Sequence, residues 1–107
     1  MKILGFEHNE SASGTSLRGY VTTTYTDLVD RFGEPTHKSS DDGKVTVEWV
    51  LDFKVVQDGE DDDDFDYVTA TIYDWKEERT PMGVYRWHIG GNSNDAVEAV
   101  ETALGEK

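Results

Sequence analysis

No cysteine occurs among the 107 residues, which excludes a disulfide framework, a thiolate metal site and a nucleophilic thiol. Positive charge is also scarce, with 10 Lys and Arg against 23 Asp and Glu and a formal net charge of −13. That balance repels nucleic-acid phosphates and anionic membranes, so direct binding to nucleic acid or a membrane surface is not expected. No apolar run approaches the length of a membrane-crossing helix, and Met1 to Glu7 is too short a run for a secretory signal. The expectation is a cytoplasmic protein. Prolines are limited to Pro35 and Pro81.

What is present suffices for one core. The apolar fraction of 36% is low, but three Trp, five Tyr and four Phe supply large side chains to bury. A chain of this length has room for a single domain, 1–107. Its first 17 residues are partly loop-like: Lys2 to Phe6 has strand character, and His8 to Ser16 is a polar Asn, Ser, Gly and Thr loop. Arg18 to Thr24 is β-branched, a second short strand or an extended lead into a helix.

Tyr25, Leu28, Val29 and Phe32 recur at helical spacing behind Thr24 or Thr26 as N-cap. Gly33 in the left-handed conformation, followed by Pro35, ends that helix, and Thr36 to Gly43 is a connection. Val45, Val47, Trp49, Leu51 and Phe53 alternate with Thr46, Glu48, Val50 and Asp52, the period of a strand with one buried face. Residues 54–66 form an acidic hairpin loop, Tyr67 to Trp75 and Val84 to Ile89 make two more strands, and Gly90-Gly91 breaks the last. Ser93 or Asn94 then caps a helix whose stripe is Ala96, Val97, Val100, Ala103 and Leu104, ended by Gly105. The fold class is α+β, in the order β(β)αβββα: an antiparallel meander of three to four strands with both helices on one face.

A sheet covered on one side leaves the other open. If Trp49, Leu51, Ala70, Ile72, Tyr85 and Trp87 face the helices, alternation sends Glu48, Val50, Thr71, Tyr73, Trp75, Arg86 and His88 to the open side. Tyr73 and Trp75 beside Arg86 then have the composition of an interface hot spot, weighed against partial burial by the N-terminal segment.

The acidic run comprises Asp58, Glu60, Asp61, Asp62, Asp63, Asp64 and Asp66. As a cation site it fails the calcium-loop pattern, lacking a glycine at the sixth position and an acid at the twelfth. With Glu77 and Glu78 in the next turn, and Asp41 and Asp42 before the first meander strand, it has the density of a nucleic-acid mimic. Solvation, solubility or salt adaptation explains the charge equally well. His8, His37 and His88 make no i, i+4 pair for zinc, and no Gly-x-Ser-x-Gly turn exposes a nucleophile. Gly90-Gly91-Asn92-Ser93-Asn94 lacks the lysine of a phosphate loop and is better read as a turn and helix cap. No catalytic residue, metal or cofactor is assigned.

Tyr25-x-x-Leu28-x-x-x-Phe32-Gly33-x-Pro35, Trp49-x-Leu51-x-Phe53, Ala70-Thr71-Ile72-Tyr73-Asp74-Trp75-Lys76 and Trp87-His88-Ile89-Gly90-Gly91 resemble small acidic proteins of bacterial and archaeal viruses over residues 20 to 100. Such proteins include blockers of host defence, anti-CRISPR and anti-restriction proteins among them. The resemblance implies a non-enzymatic inhibitor of a host protein with a basic surface, acting in the host cytoplasm. A weaker likeness joins the helix ending in Gly-x-Pro and the Trp-bearing strands to β-lactamase inhibitory protein and to outer-membrane assembly lipoproteins, without their signal peptide, lipidation cysteine or disulfide. The alternative is a structural or accessory domain, possible as a homodimer through the open face, whose acidity reflects high salt.

Overall fold

In the computed structural model, which describes residues 1–40 and 42–105, the chain forms one mixed α+β layer pair. The strands are β1 (Lys2–His8), β2 (Ser16–Thr23), β3 (His37–Lys38), β4 (Val47–Val56), β5 (Asp66–Tyr73) and β6 (Tyr85–Gly91), with helices α1 (Tyr25–Phe32) and α2 (Asp95–Gly105). All pairings are antiparallel, in the order β1-β4-β5-β6-β2 with β3 also on β4. The α+β class and the central meander are as expected. The sheet has six strands rather than three or four, because β1 and β3 line up end to end along one edge of β4 while β2 closes the far edge on β6.

Helix α1 starts where the sequence indicated: the Thr24 hydroxyl accepts from the Asp27 N–H at 3.1 Å, a cap of about 1 kcal/mol. Gly33 ends the helix at φ 83°, ψ −169°, an extended rather than left-handed conformation that still needs a positive φ. Its N–H bonds to the Val29 carbonyl. Leu28 and Phe32 bury against the sheet, Phe32 making edge contacts with Phe6 and Phe53. The buried Trp49 indole donates to the Gly33 carbonyl and that of Trp87 to the Thr23 carbonyl. Arg31 donates to the Ala103 carbonyl and so ties the two helix ends together.

The core takes the odd residues of β4, from Val47 to Val55, with Val68, Ala70, Ile72, Trp87 and Ile89 and the small face of α2, Ala96, Ala99, Val100 and Ala103. Both helices lie on that face. Gly90 and Gly91 do not break β6; they are its last two residues and are buried. A Cβ on Gly91 would meet the Ala96 Cβ at 2.4 Å, and one on Gly90 would meet the Thr71 Oγ1 at 2.4 Å. Each glycine lets something approach its own side of the sheet.

The open face, on the Gly90 side, is crossed by the segment 9–15, which joins β1 to β2. His8, Leu51, Ala70, Gly91 and Ser16 share one row across five strands, so the segment must cross three intervening strands. Four strand spacings are roughly 19 Å, and an extended chain of this length reaches roughly 25 Å. It crosses the open face as a strap: Asn9 Nδ2 donates to Asp52 at 2.9 Å, and His37 Nε2 meets the Glu10 carbonyl at 2.9 Å. Beneath it lies the row Val50, Thr71 and Gly90. Val50 and Thr71, expected on the open side, are fully buried.

Candidate functional site

The strap divides the open face into two ends with different chemistry. At one end the hairpin between β4 and β5 carries Asp58, Glu60, Asp61, Asp62, Asp63 and Asp64, with Asp66 opening β5, and all seven are exposed. The hairpin is shorter than the expected 54–66, because Lys54, Val55 and Val56 still belong to β4 and Asp66 already belongs to β5. Its backbone is shaped by two turns, Glu60 N–H to Gln57 carbonyl and Asp64 N–H to Asp61 carbonyl, with Gly59 at φ 87°. The N-terminal ammonium reaches Asp58 at 2.7 Å and Lys2 reaches Asp62 at 3.2 Å. The ordered turns therefore hold several carboxylates outward at close spacing.

Beside this tip the open face shows Phe65 and Tyr67, 38% and 66% exposed, edge to face at 5.6 Å. Lys54 Nζ sits 3.9 Å from the Phe65 ring centroid. A shallow cleft of about 230 Å³ between Gly5, Glu7, Asp52, Lys54 and Tyr67 lies next to them.

The far end is more enclosed around His88, while Trp75 stays 39% exposed. Glu48, Tyr73, His88 and Tyr20 form one cross-strand row. His88 stacks on Tyr73 at 5.3 Å and meets Tyr20 edge-on at 5.0 Å, with Trp75 at 6.4 Å from both Tyr73 and His88. The Arg86 guanidinium lies 3.8 Å over Tyr20, and Lys44 and Lys76 approach Trp75. Partial burial raises the Glu48 carboxyl, which His37 partly offsets. Burial raises the Tyr73 phenol, with Glu48 and Tyr20 adding to it. Burial and then Arg86 lower the His88 imidazole, against a weaker pull from Asp74. Among the described residues His88 Nδ1 is buried with no hydrogen-bond partner, consistent with a neutral ring protonated on Nε2.

Just behind this row Asp74 is fully buried. Its carboxylate accepts from the Thr46 N–H, the Thr46 hydroxyl and the Val47 N–H, fixing the entry of β4 against the exit of β5.

Of the residues singled out from sequence, the structure makes two groups. Asp58, Glu60, Asp61, Asp62, Asp63, Asp64 and Asp66 are at the tip; Tyr73, Trp75, Glu77, Glu78 and Arg86 are at the other end. From Asp66 to Tyr73 the strand β5 alone spans seven residue steps, roughly 23 Å. The acidic tip is thus not beside Trp75, and Glu77, Glu78 and Asp42 do not extend its charge. Asp41 lies outside the described residues. Sequence reasoning passed over Phe65 and Tyr67, although the alternation through Tyr73, Thr71 and Thr69 runs back to them. It also passed over Asp74, whose partner Thr46 is distant in the chain and leaves no local signal.

His8 bonds to the Phe32 carbonyl and Thr36, and His37 to the Glu10 carbonyl, so both rings serve the backbone of the fold. Among the described residues no group of three or more His, Cys, Asp or Glu side chains is placed to hold a metal ion, and no helix is long and apolar enough to cross a membrane. Comparison of the chain with known protein families, with characterised proteins and with solved structures finds no match.

Proposed function

We propose that the chain is a non-enzymatic binding protein that engages the basic surface of another protein through its acidic hairpin tip, occupying a surface that otherwise receives nucleic-acid phosphates. The observation that carries this reading is the set of seven exposed carboxylates at one end of the sheet, six of them on two consecutive turns and Asp66 opening β5. Charge so placed steers encounter with a cationic surface and disfavours anionic ones. The resemblance of the strand and helix motifs to small acidic viral proteins supports a host protein as the target and inhibition as the outcome.

The test is displacement of a labelled DNA duplex from basic nucleic-acid-binding proteins, at low and at high salt. The wild type is expected to displace duplex at low salt. A variant with Asp61, Asp62, Asp63 and Asp64 all changed to Asn is expected to be weaker by on the order of tenfold, with the gap closing as salt rises. Equal displacement by both proteins would remove the tip from the mechanism. A homodimer through the open face is favoured less, because the strap occupies the centre of that face and separates its exposed aromatic side chains into two patches.

A further inference from the structure

The uncovered sheet face at the tip end carries a more specific recognition element than charge. Tyr67 and Phe65 expose their rings there, and the Phe65 ring face already holds a cation, Lys54 Nζ, at 3.9 Å. Across β4, strand β1 bulges between Ile3 and Gly5, and an added Cβ on Gly5 would have nothing within 4 Å. The missing side chain leaves the cleft open between Tyr67, Glu7 and Asp52, with Lys54 also on its wall and its ammonium drawn to the Phe65 ring. Glu7 and Asp52 stand directly opposite each other on neighbouring strands, a pairing that like charges ordinarily disfavour and that a cation between them relieves. Asp52 is held in place by Asn9 and by the Thr69 hydroxyl, so its position is set before any ligand arrives. At about 230 Å³ the cleft is smaller than a typical small-molecule site and suits one extended side chain.

We infer that this face docks an arginine-bearing basic segment of the partner protein, one guanidinium lying against the Tyr67 ring between the Glu7 and Asp52 carboxylates. The inference rests on the proposed engagement of a basic surface and names the group recognised. Arginine fits better than lysine because a planar guanidinium stacks on an aromatic face and donates in pairs to carboxylates, whereas an ammonium is a compact, strongly hydrated point charge. The seven neighbouring carboxylates select a cationic segment and reject a nucleic acid or anionic lipid.

Two labelled peptides of equal length and charge, one arginine-rich and one lysine-rich, distinguish this from charge alone when titrated by fluorescence anisotropy at low salt. The wild type is expected to bind the arginine peptide about fivefold more tightly. A Phe65→Ala/Tyr67→Ala variant, altered only at exposed side chains, is expected to bring the two peptides within about twofold, and Glu7→Gln to reduce the preference with both rings intact. In the four-Asn tip variant both peptides weaken together and the preference persists. Equal affinity of the wild type for the two peptides, or a preference that survives loss of both rings, overturns the inference while leaving engagement of a basic surface standing. Failure of the wild type to bind either peptide overturns both.

Discussion

The two ends of the open face contain the same kinds of residue in opposite circumstances. At the far end two tyrosines and a histidine pack on one another with the partly exposed Trp75 at their margin: His88 lies between two rings, and behind them Asp74 is fully buried and saturated by backbone and hydroxyl donors. At the tip, aspartates and an aromatic pair face water, and the cations near them are the N-terminus, Lys2 and Lys54. The difference shows that residue type does not assign a role. A carboxylate with three donors around it is part of the framework, and one on an exposed turn is available to a partner.

That contrast is open to direct attack, first at the Gly90–Thr71 contact on the face that separates the two ends. Gly90→Val places a branched side chain where even a Cβ meets the Thr71 hydroxyl at 2.4 Å, and should cost about 3 kcal/mol or more in urea denaturation. A near-neutral result would mean that the Thr71 side chain can move away from Gly90 at little cost. Next, Asp74→Ala strands buried donors of Thr46 and Val47, with an expected loss of about 2–3 kcal/mol. Asp63→Ala at the exposed tip should stay within about 0.5 kcal/mol of wild type. Similar losses for the two aspartates would erase the distinction between the ends.

The smallest effect is a pH dependence. Burial and Arg86 hold the His88 imidazole below its ordinary value, so the unfolded chain takes up this proton more readily than the folded one. Stability from this group is present above the unfolded value, roughly pH 6.5, and is lost as pH falls through the lower folded value. Thermal melts of His88→Phe should accordingly lose less stability than wild type between neutral pH and about pH 5. Parallel curves would mean that His88 is not withdrawn from water.

Much of the layout was legible where periodicity is local. The odd residues of β4 are buried as their alternation required, Thr24 caps α1, and Tyr73, Trp75, Arg86 and His88 do lie on the face opposite the helices. What escaped depends on distant pairing. Nothing in the polar segment 9–15 announces that it lies over Val50 and Thr71, since its hold comes from Asp52 and His37. Gly90-Gly91 looked like an interruption because a glycine pair is a common stop. Its reason for being glycine becomes visible only when the Thr71 side chain and α2 are placed on either side of it.

The strap also bears on the order in which the chain assembles. The meander of β4, β5 and β6 joins neighbours in sequence, whereas Ser16 pairs with Gly91 and Lys2 with Val56, closures that carry a larger entropic cost. Because one short segment joins both edge strands, placing β1 fixes where β2 must land, so that the second long closure is largely prepaid by the first. The two borders of the sheet are therefore expected to form, and to open, as a single cooperative unit.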